Sequence, residues 1–359
     1  TIVSSAGFGV WDDEHNAEGY IREGAVDKLI CGHFGAMMST KKLVLEDRFE
    51  AYNLPLGCIS HAIRAQAGGL PGALSKVGLD IFVDPRREGP GINRISIDDS
   101  LVKHVEVDGD EFLYYKLPKI TIAMIKGTAA DRKGNITFDD MFMSGDALSI
   151  CQAVKANRGK VIVQVDRLVA TPSRPRNAII PGCLVDAIVV AEPQERNEAY
   201  MALTGSFEIP YKEWHTWNEK INDLSQKQRK NNILANIIGK RAAKELRVDD
   251  IVNIGIGIPE TVARFARKSG MLDMITLTVE SGGIGGFPVS GEAFGAMIGA
   301  ASVYDMANQF DLYDNGGLDV CFMGALEVDK YGNINAHRGT GAFAGIGGFA
   351  NITAKTPTV

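Results

Sequence analysis

Ile251-Val-Asn-Ile-Gly255-Ile-Gly-Ile-Pro259 is the stretch on which the fold turns. Ile251 to Ile254 reads as a short buried strand, and the Gly-x-Gly that follows breaks it. Pro259 suits a first helical position, where a missing N–H costs nothing. Val262, Ala263, Phe265 and Ala266 then keep a helical period, and Gly270 is placed to cap the helix. Ile275-Thr-Leu-Thr-Val279 resumes the strand pattern. Strand, glycine turn, helix and strand make the repeating unit of a layered α/β fold.

The same alternation extends upstream. Ile120 to Ile125, Val161 to Val165 and Ala187 to Val190 are apolar enough for strands buried on both faces, and Ala147 to Ala156 is helical in pattern. Continuous apolar strands separated by helices indicate mainly parallel sheets. Two related open α/β domains are therefore expected, over residues 1–205 and 225–359, with a linker at 206–224. Phe207-Glu-Ile-Pro210 and the Trp214-His-Thr-Trp217 cluster carry no sustained period and read as linker packing. Ser225-Gln-Lys-Gln228 is a capping-box pattern opening a helix, whose period runs through Ile233, Leu234, Ile237, Ile238, Ala242 and Leu246. Asp131-Arg-Lys-Gly-Asn-Ile136 recurs as Asp329-Lys-Tyr-Gly-Asn-Ile334, each after an apolar strand. Matching strand, spacing and turn favour a duplicated domain.

Composition narrows the function. With 359 residues, 45% hydrophobic and 23% charged, the chain is neither disordered nor fibrous. Its 40 glycines are about 11% of the chain, against a usual ~7%, and they crowd between Gly255 and Gly348. Glycine serves where backbone turns sharply or approaches a ligand. A net charge of −6 provides no basic footprint for nucleic acid. Five scattered cysteines without a CxxC pair, and six histidines without HExxH, argue against a disulfide framework or a metal site. No apolar run reaches ~18 residues. A cytoplasmic protein without a membrane or nucleic-acid partner is expected. The chain opens on Thr1 rather than Met.

Chemistry is concentrated in Ile275-Thr-Leu-Thr-Val-Glu280-Ser-Gly-Gly-Ile-Gly-Gly-Phe287. A strand delivers Glu280 into a glycine-rich turn, and ligands of parallel α/β sheets bind beyond the carboxyl ends of strands. Nucleophile, general base, metal ligand and turn cap all remain open for Glu280 on this segment alone. Gly255-Ile-Gly257 at a helix start suits an anionic group, because backbone N–H groups face outward there. The third glycine of a dinucleotide fingerprint is missing, as is the Gly-Lys-Ser/Thr of a phosphate loop, so neither NAD nor ATP is favoured. Asn315-Gly-Gly-Leu-Asp319 and Gly345-Ile-Gly-Gly-Phe349 are either tight turns or backbone donors for an oxyanion.

These elements resemble the class I coenzyme A transferases. The resemblance rests on Gly255-Ile-Gly-Ile-Pro259, Val279-Glu-Ser-Gly282, Gly316-Gly-Leu-Asp319, Gly324 to Gly332 and Gly345-Ile-Gly-Gly348. In the first half it rests on Cys31-Gly-His33, Ala51-Tyr-Asn-Leu-Pro55, Lys76-Val-Gly78, Phe82-Val-Asp-Pro-Arg86 and Asp131 to Phe138. The pattern is most similar to the single-chain acetate and propionate branch. It implies that Glu280 attacks an acyl-CoA thioester and comes to carry CoA as a glutamyl thioester. It further implies that Gly348 is a backbone donor to the oxyanion, with Gly347 beside it against the CoA, and that Gly255, Ile256, Gly257, Ile258 and Pro259 form a CoA-contacting loop.

An acyl-CoA and a short-chain carboxylate are then the partners, CoA is substrate and covalent intermediate with no separate cofactor or metal, and a homo-oligomer is expected. Acyl-CoA hydrolysis and a non-catalytic CoA-binding or sensing role are the alternatives on the same scaffold. A glutamate with the ordinary pKa of ~4.3 is ionised at neutral pH but weakly nucleophilic. Binding along the CoA chain and oxyanion donors must lower the barrier.

Pro55-Leu56-Gly57 departs from the family's Pro-Gln-Gly, whose Gln lines the oxyanion site. Losing one such donor costs ~3 kcal/mol of transition-state stabilisation unless the backbone at Leu56 or Gly57 replaces it. By the same resemblance both domains are expected to continue beyond Thr1 and Val359. His33 and His61 are either acyl-pocket residues or, as lone histidines more often are, hydrogen-bonded structural residues, and Asp84-Pro-Arg86 reads as a turn with an internal ion pair. Arg264 and Lys268 are candidates for the CoA phosphates.

Overall fold

The expected strands and helices are found in a computed structural model that describes residues 1–7, 18–35, 37–141, 143–171, 174–192, 233–289, 295–340 and 342–359. The chain divides into two compact units, Thr1–Ile120 with Ala325–Ala354 and Thr121–Gly324 with Lys355–Val359. The linker expected at 206–224, the helix start at Ser225 and the two linker tryptophans lie outside the described residues. The division into domains at that point stays an expectation.

The first unit is built on three parallel strands, Ile2–Ser4, Lys28–Cys31 and Glu50–Asn53, in that order across the sheet. Leu29, Cys31 and Ala51 of these strands are fully buried with Phe34, Met37 and Val44. Among the described residues a three-stranded antiparallel sheet, Ala73–Ser75, Val102–Val107 and Asp110–Tyr115, completes its β structure apart from two short hairpins. Asp84 is fully buried and paired with Arg86, Nη2 to Oδ2 at 2.7 Å. The guanidinium holds the Asp84 carboxyl far below the usual range, so the expected internal ion pair is present.

The second unit carries two five-stranded sheets. In one, Ile122–Ala130, Lys160–Leu168 and Ala187–Val190 run parallel, with antiparallel strands added at one side. The helix Ala147–Ala156 lies between the first two of these strands in sequence, with the bounds its apolar period indicates. In the other sheet Thr276–Thr278, Ile251–Ile254 and Val320–Phe322 run parallel, again with antiparallel strands outside. Parallel centres with antiparallel edges make this an α/β fold. Val252, Leu277, Val279 and Val320 are buried with Val262, Ala263 and Ala266 of the helix Glu260–Lys268. Each such Val or Leu side chain withdrawn from water contributes ~1.5–3 kcal/mol. The helix ends where expected: Gly270 takes φ +73° and donates to the Arg267 carbonyl at 3.1 Å.

The helix Ile233–Ala242 differs from its sequence pattern. Ile233 and Leu234 are 71% and 70% exposed, while Ala235 and Gly239 face inward. Packing selected the small residues: a Cβ on Gly239 would stand 2.0 Å from Thr261 Oγ1. Close approach of the two helices, rather than the apolar stripe, sets this face.

The repeated turns are alike in bonding. Asp131 Oδ1 accepts from the Lys133 and Asn135 N–H groups while Asn135 Nδ2 donates to Oδ2. Asp329 accepts from Tyr331, Asn333 and the Asn333 amide in the same pattern.

Candidate active site

Three parallel strands fix the location of Glu280. Ile251 pairs with Thr276 and Asn253 with Thr278, while Ile254 pairs with Phe322 on the other side. Running in one direction, the strands empty onto one edge, so the Gly255–Pro259 loop and Glu280 share the carboxyl end of this sheet. The strand is shorter than its apolar pattern, ending at Thr278, and Glu280 sits in the turn beyond it. That turn closes tightly: Gly282 N–H donates to the Val279 carbonyl at 3.1 Å and Val279 N–H to the Gly283 carbonyl at 3.0 Å. Gly282 takes φ +113°, and a Cβ there would stand 2.0 Å from the Tyr304 carbonyl oxygen. Only glycine fits, and the turn is held by backbone.

Glu280 is half-buried, and loss of water raises its pKa above the ordinary carboxylate value while its own backbone N–H draws it back. The unperturbed carboxylate expected from sequence is therefore corrected. Poorer hydration of the anion makes it a better nucleophile than a solvated carboxylate.

Behind the turn lies a buried polar group that no motif indicated. Tyr313, from the helix Met306–Asp314, donates its hydroxyl to Thr278 Oγ1 at 2.9 Å. Thr278 Oγ1 donates in turn to the Val252 carbonyl at 3.1 Å, and Asn253 Nδ2 reaches the Tyr313 hydroxyl at 3.3 Å. Burial, and then the charge of Glu280, push the Tyr313 pKa far up. The phenol thus stays neutral beside the carboxylate.

Two backbone donors of the Gly255–Pro259 loop are already taken. Gly255 N–H donates to the Phe322 carbonyl at 2.8 Å and Gly257 N–H to Glu260 Oε1 at 2.9 Å. What it offers outward is apolar: Ile256 and Ile258 are 45% and 44% exposed, flanking Gly257 at φ +95° and leading into Pro259. This surface suits an alkyl chain better than a phosphate. Arg264, a candidate for phosphate, donates to Asn236 Oδ1 and lies over the Phe265 ring at 4.9 Å.

Gly347 and Gly348 belong to the other compact unit. Their loop is anchored at both backbone groups of Gly347, whose N–H donates to the Gly32 carbonyl at 2.7 Å and whose carbonyl accepts from Leu56 N–H at 2.9 Å. Asn53 is the clamp. Its Oδ1 accepts from Ile346 N–H at 2.9 Å, and its Nδ2 donates to the Cys31 and Gly32 carbonyls at 3.0 and 2.8 Å. Gly348 is buried, and no described residue accepts its N–H. That group remains available as a donor.

Leu56 is buried against Gly32, where an added Cβ would stand 3.2 Å from its own Cβ. The backbone replacement considered for the missing glutamine is not there. Leu56 N–H is held by Gly347, and Gly57 N–H donates to Asn351 Oδ1 at 3.1 Å. Beside the same loop a cleft of about 540 Å³ is lined by Lys76, Phe82, His337, Ile346 and Phe349 among others. Phe82 and His337 stack there with ring centroids 3.8 Å apart.

Among the described residues no cluster of His, Cys, Asp and Glu could hold a metal, and no helix is long and apolar enough to cross a membrane.

Comparison with known proteins supplies the context. A family model described as coenzyme A transferase matches residues 1–191 and 235–342. Acetate CoA-transferase YdiF of Escherichia coli K12 is 37% identical, the alignment covering 100% of this chain and 66% of that protein. Caffeate CoA-transferase of Acetobacterium woodii is also 37% identical, over 94% of this chain and 64% of its own. The crystal structure of the acyl-CoA transferase YdiF from E. coli O157:H7, as a thioester complex with CoA, superposes with a TM-score of 0.84 at 35% identity. That match covers 99% of this chain and 65% of the other. The chain thus spans just under two thirds of the length of these relatives.

Proposed function

The chain belongs to the coenzyme A transferase family, and from that premise we propose that it transfers CoA from a short-chain acyl-CoA to a carboxylic acid through a glutamyl-CoA thioester on Glu280. The observation that carries this reading is the placement of Glu280. A poorly hydrated carboxylate stands in a rigid glycine turn at the carboxyl edge of the sheet, on the same edge as an apolar loop.

The steps balance without a general acid or base. A Glu280 oxygen attacks the thioester carbonyl, the C–S bond breaks, and CoA leaves as thiolate from the mixed anhydride. The thiolate then attacks the glutamyl carbonyl, the donor acid departs as carboxylate, and Glu280 holds CoA as a thioester. An acceptor carboxylate attacks that carbonyl and expels the thiolate again. Thiolate attack on the acceptor's acyl carbon releases the new acyl-CoA and restores Glu280. Each tetrahedral intermediate carries negative charge on oxygen, and the resemblance alone names the Gly348 N–H as its donor. Ile256 and Ile258, with Gly255, Gly257 and Pro259, are assigned to the CoA chain, and Gly347 to shaping the donor loop.

The resemblance alone supports a cytoplasmic homo-oligomer. The test is kinetic. In the full-length protein, acetyl-CoA and propionate should give propionyl-CoA with parallel-line ping-pong kinetics, and Glu280→Ala should abolish transfer. CoA released at the same rate without any acceptor acid would mark a hydrolase instead. Transfer by Glu280→Ala at the parental rate would overturn the reading.

A further inference from the structure

Three cations share the outward face of the helix Glu260–Lys268, and none of them meets a carboxylate among the described residues. Arg264, Arg267 and Lys268 are spaced i, i+3 and i+4, which sets them side by side, away from the buried Val262, Ala263 and Ala266. Arg264 Nη2 donates to the neutral Asn236 Oδ1, and its guanidinium carbon lies 4.9 Å from the centroid of the Phe265 ring. Lys268 Nζ lies 5.7 Å from the same ring. Arg267 is half-buried, has no side-chain hydrogen bond or ion pair with a described residue, and its Nη1 is buried without an acceptor. By contrast Arg86, Arg94, Arg167 and Arg241 each meet a carboxylate.

Cations in a last helical turn also answer the helix dipole. Exposed charge is enough for that role. It does not call for a guanidinium nitrogen withdrawn from water with no acceptor, which costs stability. An anion completes such a group, and the planar fork of a guanidinium matches phosphate oxygens in pairs.

The location fits the phosphate end of CoA. The helix starts directly after the Gly255–Pro259 loop, and Glu280 follows the strand paired with the one that ends at this loop. At ~1.5 Å per residue, Arg267 lies about 11 Å along the axis from Glu260. An extended pantetheine arm is longer than this, so a thiol at Glu280 leaves the arm free to cross Ile256 and Ile258 and bring the phosphates to the helix face.

We propose that Arg267, flanked by Arg264 and Lys268, binds the phosphate groups of the CoA substrate, while the glycine loop holds its alkyl arm. This rests on reading Glu280 as the residue that receives CoA. The three cations make and break no bond, so the chemical steps above are unchanged. They supply binding energy from a part of the substrate remote from the reacting carbon.

The test compares donors with and without phosphates in the full-length protein. Arg267→Gln should lower kcat/KM for acetyl-CoA about 10–100-fold and weaken CoA binding in calorimetry by a similar factor. With acetyl-pantetheine, which has no phosphate, variant and parent should agree within about twofold. Arg267→Lys keeps the charge without the fork and should fall between the two. Added salt should weaken CoA binding to the parent more than to Arg267→Gln. CoA affinity in Arg267→Gln equal to that of the parent, or an equal loss with both donors, would overturn the assignment. Glu280→Ala in parallel separates the two ideas. Loss of transfer there, with CoA bound equally well by parent and Arg267→Gln, removes the phosphate site but leaves the nucleophile. Retained transfer in Glu280→Ala removes the reading on which both depend.

Discussion

The Tyr313 hydroxyl donates to Thr278 Oγ1 across 2.9 Å, two residues before Glu280 in the chain. Both residues are fully buried, and the phenol's charged form is opposed first by burial and then by Glu280. The pair ties the Met306–Asp314 helix to the strand end that presents the carboxylate. Tyr313→Phe strands Thr278 and Asn253 without that partner. It should cost ~1–3 kcal/mol in denaturant unfolding and lower kcat less than tenfold, because the turn around Glu280 is held by backbone. A variant as stable as the parent would show that the bond does not hold this edge together.

Withdrawal of the half-buried Glu280 carboxylate from water costs stability. Its folded pKa lies above the ordinary carboxylate value, so the native state binds the proton more tightly than the unfolded chain. The destabilisation is absent below the unfolded pKa and complete above the raised folded one. Glu280→Gln should therefore raise the melting temperature by a few degrees at pH 7, and the gain should vanish on acidification to about pH 4. A melting temperature lowered at pH 7 would contradict the desolvation of this carboxylate.

The same shift fixes the acid limb of activity. Attack requires the ionised carboxylate, so kcat/KM should fall as pH drops through the raised pKa of Glu280, with its midpoint above the ordinary carboxylate range. A pH profile in a stable pH range checks this. A midpoint within or below that range would place a well-hydrated carboxylate at the reaction.

Asn53 uses three hydrogen bonds to hold the Gly345–Gly348 loop against the Lys28–Cys31 strand. Asn53→Ala removes all of them from a buried position. Stability should fall by ~2–4 kcal/mol, and kcat should fall at least tenfold in protein that remains folded. Thermal melts and steady-state rates on the same preparation separate the two effects.

The α/β plan was legible because period and punctuation agreed. Ile251 to Ile254 and Ala147 to Ala156 appear with the bounds their patterns indicate. Glu280 was visible as a carboxylate between an apolar strand and a glycine run, a place where side chains meet ligands. The inward face of Ile233–Ala242 was not legible, since interhelical closeness favoured Ala235 and Gly239 over the isoleucines. Nor could sequence tell that the N–H groups of Gly255, Gly257, Leu56 and Gly57 were already taken, since the partners of three of them are distant in the chain.

The most direct measurement is mass spectrometry of the full-length protein after incubation with acetyl-CoA and no acceptor acid, followed by rapid acid quench and proteolysis. The account predicts one peptide, that containing Glu280, carrying CoA as a thioester, and loss of the adduct when propionate is added before the quench. CoA bound covalently at another residue, or active enzyme with no adduct on Glu280, would contradict it.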